Sequence, residues 1–181
     1  MAGRKGFTLV ELAIILVVLG LLAGMGINML GVLSKRSQYQ ENRKRLEANV
    51  NSLVGYALTH ERLPSDCYRE LEYRRDRWGK DFLCLVASDL VTGDVCNATA
   101  SSLEVIDEND DPSNSKEIAF IVVSGGPNYN IQTGNRTPIR IHQLEKPNVD
   151  DYPSDINRPE PYDDMVRYMT LNHLKALVCS P

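Results

Sequence analysis

An uncharged run of twenty-two residues, Leu12 to Leu33, lies close to the start of this 181-residue chain. As an α-helix with about 1.5 Å of rise per residue, the run is roughly 33 Å long, which matches a bilayer hydrocarbon core of about 30 Å. Arg4 and Lys5 precede it, and basic residues stay on the cytoplasmic side of a membrane. The sequence therefore predicts a transmembrane helix with a cytoplasmic N-terminus and a translocated remainder.

Charge divides the chain into three regions. Residues 1–33 carry a net charge of +1 and residues 34–62 a net charge of +3, so the total of −4 leaves −8 for the remainder. A basic segment therefore joins an apolar N-terminus to an acidic body. No broad basic face indicates nucleic-acid binding, and only a local basic patch stays open as an alternative.

The helical pattern continues beyond the apolar run. No proline occurs before Pro64, and apolar residues recur at helical spacing in the segment that follows the basic residues. They are Leu46, Val50, Leu53, Val54, Ala57 and Leu58. The pattern predicts one helix over residues 7–60, apolar all round in its first half and packed by one face on a globular head in its second.

The remaining sequence indicates strands, turns and loops. Strands are predicted at residues 82–88, 101–107, 116–126, 137–144 and 164–170, the last followed by a short helix or turn to residue 177. Residues 82–88 and 95–99 read as the two arms of a hairpin, and residues 145–161 as a surface loop. The expected fold class is α+β, with the long helix packed on a small antiparallel sheet.

Four cysteines lie in the part of the chain expected to be translocated: Cys67, Cys84, Cys96 and Cys179. An even number in an oxidising compartment predicts two disulfides, with three pairings open. No C-x-x-C pair favours zinc. The predicted hairpin brings Cys84 near Cys96, so the pairing Cys84–Cys96 with Cys67–Cys179 is favoured.

The residues before the apolar run carry a second signal. A short basic leader, MAGRKG, ends at Gly6, and Phe7, Thr8, Leu9 and Glu11 follow it. This arrangement resembles the type III signal of prepilins, which type IV pilins share with the pseudopilins of type II secretion. The resemblance implies that a prepilin peptidase cleaves between Gly6 and Phe7 and methylates the new amino group of Phe7, with S-adenosylmethionine as the methyl donor.

The resemblance also gives Glu11 a role in assembly. In a filament core, Glu11 would pair with the charged amino group of Phe7 on a neighbouring subunit. Two lone charges in an apolar core are each costly, and pairing offsets much of that cost. Many relatives have a proline midway along the apolar helix where this chain has Asn28. The helix is therefore expected to loosen at Asn28 or at the glycines of this segment, which are Gly20, Gly24, Gly26 and Gly31.

The expected organisation has four parts: a leader at residues 1–6, a transmembrane and polymerisation helix at residues 7–33, an amphipathic helix at residues 34–62 and a β-rich head at residues 63–181. The resemblance implies a structural subunit, not an enzyme, of a type IV pilus-like filament or a type II secretion pseudopilus. The segment ERLPSD and the later DRWGKDFLC look like pseudopilin heads, which favours a pseudopilin or minor pilin. The alternative is a minor or tip pilin that acts as an adhesin or DNA-uptake module.

Partners and location follow from the same resemblance. The expected partners are other pilin-like subunits, the prepilin peptidase, an inner-membrane platform protein and a cytoplasmic ATPase motor. The expected location is the bacterial inner membrane with the head in the periplasm, and then the filament, up to the cell surface.

Acidic residues of the head leave a metal site open. Their carboxylates are hard oxygen ligands of the kind that calcium prefers, and some pseudopilin heads hold calcium in an acidic loop. The candidates are Asp107, Asp110, Asp111, Asp163 and Asp164. Residues 107–111 lack the glycine and the ligand spacing of an EF-hand, so a solvated acidic loop is favoured and no cofactor is expected. The three histidines, His60, His142 and His173, belong to no metal or catalytic motif.

Overall fold

The computed structural model describes residues 8–154, 158 and 160–179, with the side chains of residues 22–30 left out. In this part of the chain, a long helix is followed by five strands that form one sheet. The helices are α1 (Leu9–His60), α2 (Cys67–Glu70), α3 (Asp89–Thr92) and α4 (Leu171–Val178). The strands are β1 (Leu83–Val86), β2 (Glu104–Asp107), β3 (Asp111–Ser124), β4 (Ile139–Ile141) and β5 (Met165–Thr170). The predicted α+β class is confirmed.

Helix α1 runs without a break over 52 residues and confirms the predicted continuous helix. It ends at His60, before Pro64, and Glu61 follows with a positive φ of 55°. The chain divides into two units, residues 1–40 and residues 41–181, so α1 contributes to both. Among the residues that the structure describes, no helix is long and apolar enough to cross a membrane.

Strand β3 is the central strand of the head. Its second half lies between β1 and β5 and is antiparallel to both, while its first half pairs with β2. Every residue from Ile118 to Ser124 is buried, as expected for a strand covered on both faces. The strand predicted at residues 116–126 is therefore confirmed, and it begins earlier, at Asp111.

The sheet had been predicted to be antiparallel, but it is mixed. Strands β2 and β4 pair in parallel, with Val105 opposite Ile139 and Asp107 opposite Ile141. Parallel neighbours need a long crossover, and β3 together with residues 125–138 provides it. The crossover carries the chain back to the end of the sheet at which β2 begins, so β4 runs in the same direction as β2.

The predicted hairpin between residues 82–88 and 95–99 is wrong, and so is the disulfide pairing drawn from it. Residues Asp89–Thr92 form a helical turn, and residues 95–99 form no strand. The chain therefore does not fold back along β1, and Cys96 is not paired with Cys84. The disulfides are Cys67–Cys84, which ties α2 to β1, and Cys96–Cys179, which ties the segment after α3 to the end of α4.

One hydrophobic core joins the second half of α1 to the sheet. Leu46, Leu53 and Ala57 are fully buried in it, and Val50 and Val54 pack against it, as the helical spacing predicted. Leu58 had been assigned to the same face but is 52% exposed. Two polar residues, Asn42 and Asn49, take buried positions on this face instead.

Candidate assembly site

The expected processing site, Gly6 and Phe7, lies outside the described residues, so its cleavage and methylation stay predictions. Thr8 is the first residue that the structure describes, and it directly precedes Leu9, the first residue of α1. For Gly24, Gly26 and Asn28 the structure describes only the helical backbone, so the place where the helix loosens stays a prediction.

Thr8 and Glu11 form a reciprocal cap at the start of α1. The backbone N–H and the hydroxyl of Thr8 both donate to Oε2 of Glu11 at 2.9 Å, and the N–H of Glu11 donates to Oγ1 of Thr8 at 3.3 Å. This is a capping box, in which a threonine and a glutamate three residues later satisfy the free N–H groups of a helix start. The pattern T-x-x-E could have revealed it in the sequence, but Glu11 had been interpreted only as an assembly residue.

The first turns of α1 present an apolar surface all round. Every residue from Thr8 to Leu21 is exposed in the isolated chain, including Leu9, Val10 and Leu16. Contiguous apolar surface of this extent is rare on soluble monomers and marks a site for a protein or membrane partner. Glu11 is the only charged residue among them. Its carboxylate therefore lies at the edge of a surface from which water is excluded when partners pack against it.

In the head, a polar row on α1 holds the segment between α2 and β1. Asn49 exchanges two hydrogen bonds with the backbone of Tyr73, and the hydroxyl of Ser52 donates to the carbonyl of Glu70 at 2.5 Å. Arg45 donates to the carbonyls of Arg75 and Asp76 at 3.2 and 3.1 Å. These side chains lie three to four residues apart on one helix face, so α1 fixes the position of residues 70–76 as one unit.

Asp76 is buried at the centre of this contact. Its Oδ1 accepts the backbone N–H groups of Trp78 and Lys80 at 3.0 and 2.9 Å, and its Oδ2 accepts the hydroxyl of Ser124 at 2.8 Å. Ser124 in turn accepts a hydrogen bond from Asn42 on α1 at 3.0 Å. Asp76 is the first residue of the segment DRWGKDFLC, which resembles pseudopilin heads, but nothing in the sequence linked it to Asn42 or Ser124.

The five calcium candidates fall into two groups that make contacts of their own. Asp107 accepts hydrogen bonds from Asn109 and Tyr168, Asp110 pairs with Lys116, and Asp111 accepts the N–H of Ser113. Within the described residues, no three carboxylate, histidine or cysteine side chains converge as a metal site would require. Calcium binding stays a hypothesis.

The second group lies beside the start of β5, where Asp164 is buried and Asp163 is partly buried. Oδ2 of Asp164 accepts the N–H groups of Gln132 and Thr133 at 2.8 and 2.6 Å. Burial nevertheless raises the pKa of Asp164 to about 7 and that of Asp163 to about 6, because desolvation disfavours the charged form. These carboxyl groups are therefore partly protonated near neutral pH.

A charged cluster around His142 had not been predicted. The imidazole Nε2 lies 2.7 Å from Oδ2 of Asp151, and Nδ1 lies 3.2 Å from Oε1 of Glu108. Lys146 also pairs with Glu108, at 2.8 Å, and its hydrogen bond holds the pKa of Glu108 below the usual value. The cluster ties the loop after β4 to the turn between β2 and β3. Glu108 lies 38 positions before Lys146, so no local pattern pointed to the cluster.

Comparison with known proteins identifies the N-terminal segment. Residues 1–27 match the family model of the prokaryotic N-terminal methylation motif. No curated protein and no solved structure matches the chain significantly. The match covers the leader, Thr8, Glu11 and most of the apolar run, which are the residues from which the prepilin resemblance was drawn.

Proposed function

We propose that this chain, a type IV pilin-like protein by its N-terminal methylation motif, is a structural subunit of a type IV pilus-like filament or of a type II secretion pseudopilus. The observation that carries the proposal is the motif itself, followed directly by a helix whose apolar side chains are exposed from Leu9 to Leu21. A subunit that packs its helix against other subunits has a use for such a surface.

Maturation in this proposal begins at the leader. The prepilin peptidase removes residues 1–6 and methylates the amino group of Phe7, which leaves a positive charge next to Thr8. The uncharged run from Leu12 to Leu33 holds the precursor in the inner membrane, with the basic leader in the cytoplasm and the head in the periplasm. Two disulfides in the head suit an oxidising compartment.

Assembly then transfers the apolar helix from lipid to the filament core. Partners in this step are neighbouring pilin-like subunits, the inner-membrane platform and the ATPase motor. Glu11 leaves its own helix cap, wholly or in part, to pair with the amino group of Phe7 on a neighbour. The exchange is favourable because a contact between two opposite charges replaces a hydrogen bond between the carboxylate and a neutral N–H group in a site that excludes water.

The test is processing in a host with an active prepilin peptidase. We expect the wild-type chain to lose residues 1–6 and to carry one added methyl group, as measured by intact-mass spectrometry of membrane fractions. Gly6→Val should stay at full length and fail to assemble. Gly3→Val in the leader is the matched control and should mature normally. A wild-type chain that keeps its full mass beside an active peptidase would reject the proposal.

A further inference from the structure

Strand β5 has one free edge. It pairs with β3 along one side, and no strand in the part of the chain that the structure describes pairs with the other side. Opposite residues of an antiparallel pair alternate between pairs that exchange hydrogen bonds and pairs that do not. The N–H of Ala87 donates to the carbonyl of Ala119, so alternate residues of β3 from Ala119 onward face β1 and the others face β5. In the register of β3 with β5, the backbone groups of Val166 and Tyr168 therefore point away from the sheet.

Most of these outward backbone groups have no hydrogen-bond partner. Among the residues that the structure describes, none accepts the N–H of Val166 or of Tyr168, and none donates to the carbonyl of Tyr168. The carbonyl of Val166 accepts a hydrogen bond from the guanidinium of Arg167 at 3.0 Å. Because Arg167 is exposed, an incoming chain can displace it. A strand edge with such free groups is a template for pairing with another chain.

Helix α1 lies beside this edge and forms a groove with it. One cavity of about 350 Å³ is lined by Arg43 of α1, and a second of about 320 Å³ is lined by Glu47 and Val50 of α1. Both cavities are also lined by Arg167 and Tyr168, so they adjoin along β5. We call the two cavities together the β5 groove. Extended peptides bind proteins by adding a strand to an exposed sheet edge, with side-chain pockets beside it that give specificity.

The face of β5 that is turned toward α1 carries a positive charge. Asn42 of α1 donates to the sulfur of Met165 at 3.2 Å, so Met165 and, two residues later, Arg167 lie on this face. Arg43 makes no hydrogen bond or ion pair with the described residues. Opposite charges across a strand pair are stabilising and like charges are destabilising. A carboxylate opposite Arg167 therefore favours pairing at this edge, whereas Glu47, one turn further along α1, disfavours a second carboxylate beside it.

The side of the groove that faces away from α1 is suited to apolar residues. Val166 and Tyr168 lie on this side, and Leu144, which is 67% exposed, lines the same cavity. Two acidic residues also line this cavity, and both already accept hydrogen bonds. Asp107 accepts from the hydroxyl of Tyr168, and Asp164 accepts two backbone N–H groups. The residues on either side of an incoming carboxylate should therefore be apolar.

The outer strands of a second copy of the chain do not fit this edge. Two β5 strands paired through their outward groups would place Arg167 of one copy opposite Arg167 of the other, and like charges destabilise a strand pair. Strand β4 is three residues long and directs only Arg140 outward, because the carbonyl of Ile141 accepts a hydrogen bond from the β2 side. On β1 the outward N–H of Cys84 already donates to the hydroxyl of Tyr68. These contacts favour a segment of another protein as the occupant.

We propose that the β5 groove binds an extended segment of a partner protein as an added antiparallel strand. One carboxylate side chain of this segment lies opposite Arg167 and beside Arg43, and apolar residues flank it. The backbone of the segment pairs with the outward groups of Val166 and Tyr168. All these residues belong to the second unit, residues 41–181, so the proposal does not rest on the function proposed for the apolar helix.

The experiment is fluorescence anisotropy with the full-length chain in an uncharged detergent and a labelled peptide, Thr-Val-Glu-Val-Thr, with blocked ends. Its glutamate would lie opposite Arg167, and its two valines would pair with Val166 and Tyr168. Methylation of both valine backbone nitrogens removes the donors that face β5 and should abolish binding. Methylation of the glutamate backbone nitrogen, which points away from β5, is the matched control and should preserve most of the binding. The protein is unchanged in this comparison, so its folding does not affect the result.

Charge reversal tests the side-chain contact. Arg167→Glu should weaken binding of the glutamate peptide about tenfold and strengthen binding of a peptide with lysine in its place by a similar factor. Arg43→Ala should weaken binding of the glutamate peptide about threefold. The matched control is Arg140→Ala, which removes an exposed arginine that does not line the groove and should bind as the wild type does. Thermal unfolding of each variant shows whether a lost signal comes from the groove or from unfolding.

Several results would overturn the proposal. They are a wild-type chain that does not bind the glutamate peptide, equal affinities of the wild type for the glutamate and lysine peptides, and equal losses from methylation at the valines and at the glutamate. Sedimentation velocity in the same detergent tests the other occupant. Self-association of the chain that the unlabelled glutamate peptide prevents would assign the edge to a second copy and reject a partner protein.

Discussion

The carboxylate of Glu11 accepts hydrogen bonds from both the backbone N–H and the hydroxyl of Thr8, each at 2.9 Å. Glu11, the third residue of α1, therefore caps its own helix with Thr8. This role is additional to the proposed pairing with Phe7 of a neighbour. A cap needs a hydrogen-bond acceptor at this position, while pairing with an amino group needs a negative charge. The two roles can be separated by substitution.

Glu11→Gln should block filament assembly while cleavage after Gly6 continues. Glutamine still serves in a capping box, so the start of α1 is kept and only the charge is lost. Thr8→Ala is the complementary variant: it loses about 1 kcal/mol of helix stability but keeps the charge, and it should assemble close to normally. Filament yield and mature mass are the measurements. Wild-type yield from Glu11→Gln would reject charge pairing.

Ser124→Ala should destabilise the head by about 1–3 kcal/mol, because Oδ2 of the buried Asp76 and the amide of Asn42 both lose a partner. Ser113→Ala lies on the same strand, is exposed and should change stability little. Urea unfolding of the two variants makes the comparison. Equal stabilities would show that the contact between α1 and the sheet does not depend on this hydroxyl.

Non-reducing peptide mapping should recover Cys67–Cys84 and Cys96–Cys179. The first bond closes a loop of 17 residues and the second a loop of 83. Loop-closure entropy then predicts a loss of about 3 kcal/mol when Cys67 and Cys84 are replaced by serine, and of about 4–5 kcal/mol for Cys96 and Cys179. Recovery of a Cys84–Cys96 peptide would restore the hairpin pairing that the structure overturns.

The contribution of Asp164 to the stability of the head should fall as pH rises from about 4 to 7. In the folded state Asp164, with its pKa near 7, keeps a proton that the unfolded chain has released, since the ordinary pKa is 3.8. Its contribution is therefore present at low pH and lost as pH rises through the folded pKa. Asp163, with a pKa near 6, acts in the same direction.

Asp164→Asn should flatten this profile. The amide oxygen can replace Oδ2 as the acceptor for the N–H groups of Gln132 and Thr133, so the fold is preserved while the titration is removed. Thermal midpoints measured across the pH range give the result. A variant profile that falls as steeply as that of the wild type would assign the pH dependence to other groups.

Much of the fold follows from local patterns in the sequence. The 3.6-residue spacing of Leu46, Leu53 and Ala57 predicts the buried face of α1, and the apolar, β-branched run from Ile118 to Val123 predicts the central strand. The motif at residues 1–27 predicts the pilin-like class. Each of these signals comes from residues close together in the chain, whose side chains share a face because of helix or strand geometry alone.

Partnerships across the chain were not predictable in this way. The prediction of a hairpin between residues 82–88 and 95–99 was wrong because a single helical turn at Asp89–Thr92 changes the direction of the chain. The cysteine pairing that was predicted from this hairpin was therefore wrong as well. The parallel pairing of β2 and β4 depends on the crossover through β3, which strand propensity does not encode. The His142 cluster joins Glu108, in the turn between β2 and β3, to three residues of the loop after β4: His142, Lys146 and Asp151.

By itself the sequence determined the long helix, the central strand and the family signal, because these depend on hydrophobic periodicity and on residues within a few positions of one another. Only the tertiary structure decided which cysteines pair and why Asn42 is buried. Asn42 and Ser124 lie 82 positions apart and meet only when α1 packs on the end of β3. A buried amide needs such a hydrogen-bond partner. The sequence shows that Asn42 lies on the helix, but it does not show that Ser124 is its partner.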